Sequence, residues 1–291
     1  MNNQNFYINR DVIEEIPCIN WQEFVNLPFS NEDKNLLFRG QSNSSINSED
    51  SKNGQIYSLQ TTFQRDYFGG DLEELNRILD YFIKLKDKYS YLKDLDIPTS
   101  GNYLPLILLL RHAGVPMPVL DVTFDPITAL YFAVSGIVKT CGVNDCKDQN
   151  DIRYASIFEF NKATLKQYYG AEEIKYVKNY EIGKGEKILL ITDLGEIERH
   201  KDYIENMKLQ NGAFIFLDSP HSIDNHLYNK DIGVETLPKA IKHYKIPYNS
   251  IIPEWGKDDT VFKDLVNKGK TGYNLFADAE ALKFDFKNPL S

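Results

Sequence analysis

Residues Leu108–Val134 read LLLRHAGVPMPVLDVTFDPITALYFAV, and three kinds of local structure meet inside this one stretch. Leu104–His112 has the apolar content of a short helix, which Gly114 and the Pro116/Pro118 pair should halt. The glycine and the two prolines then force a rigid, irregular path into a strand that carries Asp121. Asp125 is placed to cap a second helix, with Pro126 at its first position, where a missing N–H costs nothing. Apolar residues on nearly all sides of Ile127–Val138 predict that this second helix is buried.

Working outward, Asp71–Leu92 places Leu72, Leu75, Leu79, Phe82 and Ile83 at helical spacing, with acids early and lysines late. The polar, turn-rich Asn43–Gln55 reads as a loop. Strands are expected at Ala155–Phe160, Lys187–Thr192, Gly212–Leu217 and Ala240–Tyr248, followed by a capped helix between Asp258/Asp259 and Gly269. Helices dominate the first half and strands the second, without regular βα alternation. The expected fold is α+β: a single domain whose helix-rich N-terminal half packs on a mainly antiparallel sheet from the C-terminal half. Residues 1–35 are read as an N-terminal extension packed on a domain of residues 36–291.

The composition, 42% hydrophobic and 26% charged over 291 residues, is that of a globular chain. Its longest apolar run, Leu104–Leu110, is far too short to span a bilayer. The first ten residues have neither a basic nor an apolar leader region, so a cytoplasmic location without membrane contact is expected. A net charge of −9 argues against broad duplex binding through phosphates. The three cysteines, Cys18, Cys141 and Cys146, suit a reduced compartment. Neither they nor the five scattered histidines have the spacing of a metal site.

Polar residues crowd the quoted stretch: Arg111, His112, Asp121, Thr123, Asp125 and Tyr131, each flanked by residues that belong inside. Burying them is costly unless they satisfy one another or a ligand. Upstream, the strand-like run LLFRGQS (Leu36–Ser42) delivers Arg39 at its tip, and an arginine is seldom buried without a partner. Asp121 can be that partner, for Arg39 or Arg111, in a structural clamp. Alternatively the same groups form a ligand site.

Phe38-Arg39-Gly40, followed by the RH-x-G-x-P and LD-x-T-x-x-P-x-x-ALYFA run, resembles the FRG domain family. Gln210–Phe216, Lys245–Ile251 and Gly272–Leu282 resemble its later segments. The chain departs from the family at Met117-Pro118, where Thr-Arg is common, and at Val122, where Trp is common. The family is bacterial and phage-borne, which implies by analogy a toxin or phage-defence setting. LLFRGQS is also similar to the opening motif of the Arg-Ser-Glu branch of ADP-ribosyltransferases. That resemblance implies NAD as cofactor, with Arg39 and Arg111 as cations for its phosphates, Gln210 as the amide, Asp121 as the carboxylate and His112 as a proton carrier. Phe38, Gly40, Gln41, Thr123 and Tyr131 would line the cofactor, Gly40 by letting backbone approach it and Tyr131 by packing on nicotinamide. The usual glutamate after the late-strand Glu or Gln is missing, because Gln210 is followed by Asn211-Gly212. Glu196-x-Glu198 has a spacing that chance supplies in so acidic a chain.

The expected function is therefore a nucleotide-binding cleft with ADP-ribosyltransferase-like or NAD-cleaving activity, acting on a protein or nucleic-acid target. The alternative is a non-catalytic module that senses a ligand or a phage component. Two lesser readings are an interaction surface built from the 18 tyrosines and 17 phenylalanines, and base stacking by Lys242–Trp255. Core packing and a half-exposed strand account for those residues more simply.

Overall fold

Strand runs with apolar residues on both sides must be covered on both faces, and the computed structural model shows a sheet sandwiched between helices. It describes residues 12–17, 20–29, 34–42, 59–66, 72–85, 103–112, 114–140, 154–174, 187–192, 209–219, 222–231, 237–251 and 261–268. The polar run Asn43–Gln55, the three cysteines, His221, Glu196, Glu198, Trp255 and Gly272–Leu282 lie outside these residues.

In chain order the elements are β1 (Ile13–Pro17), α1 (Trp21–Val25), β2 (Leu36–Gln41), α2 (Thr62–Asp66), α3 (Leu72–Leu85) and α4 (Leu104–His112). Then come β3 (Val119–Thr123), α5 (Pro126–Thr140), β4 (Tyr154–Asn161), α6 (Lys162–Tyr169), β5 (Glu172–Ile174) and β6 (Lys187–Ile191). The last are β7 (Gly212–Asp218), α7 (Ile223–Asp231), β8 (Ile241–Pro247), α8 (Tyr248–Ile251) and α9 (Val261–Asn267). The fold is α+β, as the element pattern suggested, with an eight-stranded sheet in the order β1-β8-β4-β2-β3-β7-β6-β5. Five of its ladders are antiparallel; β1–β8 and β5–β6 are parallel. The N-terminal half supplies more than helices, because β1, β2 and β3 all lie in it. β1 was illegible as a strand: Glu14, Glu15 and Pro17 face outward at the sheet edge, where charge and proline guard against further pairing.

One face of the sheet carries a continuous apolar layer, including Leu37, Leu120, Val122, Phe158, Phe160 and Ile215, under α6 and α7. The other face is divided. α3 and α4 cover Val119, Phe214 and Phe216, whereas α5 covers Phe38 and Ile157. The division falls over β2 and β3. These neighbours are the weakest join in the sheet: β2 pairs with β4 over six residues and β3 with β7 over five, yet β2 meets β3 only through Phe38 opposite Thr123.

Local signals explain the elements that frame this seam. Asp125 Oδ1 accepts from Ile127 N at 2.9 Å and its Oδ2 accepts from the Thr128 hydroxyl at 2.8 Å, capping α5. Gly114, at φ 85°, ends α4: Gly114 N donates to Arg111 O and Val115 N to Leu110 O. This paired return is a Schellman closure, which needs the left-handed residue that glycine supplies.

A charged cluster buttresses the turn between β3 and α5. Lys162, its side chain buried, lies 5.2 Å from the centre of the Phe124 ring and donates to Glu173 Oε1 at 3.0 Å. Lys166 and Thr192 donate to the same carboxylate. Burial works to raise the Glu173 pKa, but the hydrogen bonds from Lys166, Lys162 and Thr192 and the Lys162 charge outweigh it and hold the carboxyl down at about 2. A carboxyl depressed in the folded state stabilises fully above its ordinary value of 4.5 and loses that share as pH falls toward about 2. Glu173→Gln is therefore expected to lower stability at neutral pH and to flatten its decline in this acid window. Urea denaturation at stepped pH measures both. A variant whose acid profile overlays the parent would show that the cluster does not hold the turn.

Candidate functional site

Arg39 sits on β2, Asp121 on β3 and Arg111 in the last turn of α4, so three separate elements bring them to the seam. Beyond Phe38 and Thr123 the two strands no longer pair, and a β3 carbonyl that lacks a strand partner needs another donor. Arg39 provides it: Nη1 donates to Asp121 O at 2.8 Å and stands 4.0 Å from Asp121 Oδ2. Arg111 reaches the same carboxylate from above, its Nε donating to Oδ2 at 3.1 Å and its Nη2 donating in a short hydrogen bond to the same oxygen. The α4 terminus also suits a cation, since the last carbonyls of a helix carry partial negative charge.

Two guanidiniums thus meet one carboxylate, for a local charge of +1. The exposure of the three groups is uneven. The side chains of Arg39 and Arg111 retain 16% and 20% of their surface, while Asp121 retains 42%. This is not the buried ion pair that the apolar flanks of Asp121 suggested, because the divided helical layer leaves the carboxylate partly open. Asp121 Oδ1 and Arg111 Nη1 make no hydrogen bond among the described residues. The arrangement therefore presents an acceptor beside a donor to whatever enters the seam.

The remaining candidate residues divide into near and remote. Gln41 lies at the end of β2, partly exposed, two residues beyond Arg39 and opposite Ser156. Gln210 contributes its backbone: the Thr123 hydroxyl donates to Gln210 O at 2.6 Å, more weakly to Asn211 O at 3.2 Å, and accepts from Asp125 N. Thr123 is buried, so its hydroxyl is used in holding the Gln210–Asn211 turn and not in lining a cavity. His112 is placed as the last residue of α4.

The structure places Phe38, Gly40 and Tyr131 at α5 and the core beside it. Phe38 is buried, with its ring edge-on to Phe29 at 5.2 Å. Tyr131, a residue of α5, is buried in the same cluster at 2% exposure. Gly40 does permit a close approach, but to a helix: a Cβ there would lie 1.9 Å from Ala129 O and 2.8 Å from Ala133 N. Sequence reasoning missed Asn211, which holds φ 49° and whose carbonyl accepts from Phe124 N at 2.9 Å. The Asn-Gly pair was the available signal, since asparagine tolerates that conformation better than most residues.

Among the described residues no group of three or more His, Cys, Asp or Glu side chains is placed to hold a metal ion. No described helix is long and apolar enough to cross a membrane. Met117 and Pro118 are buried where the chain enters β3, and Pro118 O accepts from Leu217 N at 3.1 Å. No curated protein and no solved structure matches the chain. A family model does match, over residues 34–140, just over a third of the chain. That span holds Arg39, Arg111 and Asp121, and it ends before Gln210 and the later segments. The model matched over residues 34–140 is that of the FRG domain.

Proposed function

We propose that the seam between β2 and β3 is a nucleotide-binding cleft, and that its ligand is NAD, cleaved in the manner of an ADP-ribosyltransferase. The observation that carries this reading is the convergence of Arg39 and Arg111 on a carboxylate that remains 42% exposed. Guanidiniums fit phosphate oxygens through paired hydrogen bonds. A carboxylate beside them can face the positive charge that develops on the sugar as nicotinamide departs. Gln41, on the same strand as Arg39, is near enough in sequence and exposure to join them. The target of transfer is a protein or nucleic acid in the cytoplasm, and the setting is bacterial toxin action or phage defence, as the resemblance implies.

A non-catalytic sensing module is the second reading, and particular observations favour it. Gly212 occupies the position of the missing glutamate, and Tyr131 is closed off in the core. Such a module would grip the same phosphates without turnover.

Incubating the protein with NAD labelled in the ribose and in the nicotinamide, with and without cell extract, separates the two. Nicotinamide release with transfer of label is the result expected for the enzyme. Thermal stabilisation by NAD without release would establish the sensing module. Neither release nor stabilisation would overturn the nucleotide reading altogether.

A further inference from the structure

We infer that Asp121 reads the vicinal hydroxyls of a ribose, so that the seam selects a ribonucleotide over a bare polyphosphate. The inference rests on the nucleotide reading of the seam and adds to it the part of the ligand that confers selectivity. Its basis is the unequal use of the two Asp121 oxygens. Oδ2 takes both hydrogen bonds from Arg111, whereas Oδ1 takes none among the described residues, on a side chain that is nearly half exposed. Arg111 Nη1 in turn makes no hydrogen bond among the described residues.

The chemistry of an occupant follows from these open groups. A bare anion would satisfy the guanidiniums but would press against the Asp121 charge. A cation would suit Asp121 and be repelled by two arginines. Both demands are met by a ligand whose hydroxyls neighbour its phosphates. One hydroxyl of a vicinal pair donates to Oδ1, and the adjacent hydroxyl accepts from Arg111 Nη1. The phosphates are left to the positive charge that Arg39 and Arg111 place at the seam. A 2′,3′-dideoxyribose offers neither hydroxyl and would leave the carboxylate unsatisfied in a partly desolvated seam, where losing a hydrogen bond to a charged group is costly.

Asp121→Asn is an informative substitution. The amide has one acceptor oxygen, and Arg111, a pure donor, claims it. The NH2 group then stands where Oδ1 stood, replacing an acceptor with a donor at nearly constant size.

The test is calorimetric titration of the full chain with ADP, with 2′,3′-dideoxy-ADP and with inorganic pyrophosphate, repeated on Asp121→Asn. ADP is expected to bind about tenfold or more tightly than its dideoxy analogue, and the substitution should erase that preference. Equal affinities for ADP and dideoxy-ADP, or pyrophosphate binding as tightly as ADP, would overturn the inference while leaving a phosphate-binding seam in place. A ribose preference that survives in Asp121→Asn would remove Asp121 from the role. Binding of none of the three would overturn the nucleotide reading itself. The comparison of ADP with its dideoxy analogue needs no variant, so the inference stays testable even if Asp121→Asn fails to fold.

Discussion

Gly40→Ala is expected to destabilise the protein by about 3 kcal/mol or more, at the upper end of what overpacking a well-filled interior costs. The added Cβ would lie 1.9 Å from Ala129 O, 2.9 Å from the carbonyl carbon of Ala129 and 2.8 Å from Ala133 N. All three atoms are helix backbone, so no side chain can rotate out of the way. α5 would have to lift from β2, taking with it the apolar layer that Ala129, Leu130, Ala133 and Val134 form over Phe38 and Ile157. It would also drag its capped N-terminus, and with Asp125 the Thr123 network that holds the Gln210–Asn211 turn. Denaturant unfolding measures the loss directly. Shortening Ala129 to glycine should not rescue it, because the obstacle is the carbonyl and not the methyl group. A Gly40→Ala protein within 1 kcal/mol of the parent would mean that α5 does not touch β2 in this way.

Gly40 also shows where the sequence was legible and where it was not. The Phe-Arg-Gly run announced a strand, which is present, while the resemblance implied that Gly40 lets backbone approach a cofactor. What approaches is α5, some ninety residues later, and no local pattern names a partner at that distance. Tyr131, expected to pack on a cofactor, is instead placed in the core for the same reason. Its position in a buried helix was readable from the apolar residues around it, but which face of α5 meets the sheet depends on the sheet. Signals confined to one turn of chain survived best. Asp125 and Pro126 opened α5 where the capping chemistry required, and Gly114 closed α4, thereby fixing where Arg111 emerges.

Strands β4, β6, β7 and β8 were readable because they are largely buried and their sequences are correspondingly apolar. β1 and β5 are edge strands that carry exposed glutamates, Glu14 and Glu15 in the first and Glu172 in the second, and they give no such signal. The seam itself was invisible: pairing of Arg39 or Arg111 with Asp121 could be anticipated, but not the loss of β2–β3 ladder pairs that makes room for it. Asp121 looked like a buried clamp because its neighbours in sequence, Leu120 and Val122, are buried. They point to the opposite face of β3, as alternation along a strand requires.

Arg111→Ala is expected to weaken nucleotide binding by about a hundredfold or more, the scale on which losing a ligand-facing charged donor acts. Its effect on stability should be far smaller. The Arg111–Asp121 pair keeps 20% and 42% of its side-chain surface exposed, and pairs so open to water contribute about 1 kcal/mol or less. Once Arg111 is removed, water can hydrate the Asp121 carboxylate in its place. Arg39→Ala should behave differently, although it faces the same ligand. Arg39 Nη1 is the donor that satisfies a β3 carbonyl across the seam, so its loss should weaken both binding and the join between the two halves of the sheet, the latter by about 1–2 kcal/mol. The two arginines thus make separable predictions on one site, one nearly pure in affinity and the other mixed. Calorimetric titration with ADP and denaturant unfolding of both variants provide the comparison. If Arg111→Ala instead unfolds easily while ADP affinity holds, the cluster is a clamp between α4 and β3. The exposed face of Asp121 would then be a consequence of packing and not a binding site.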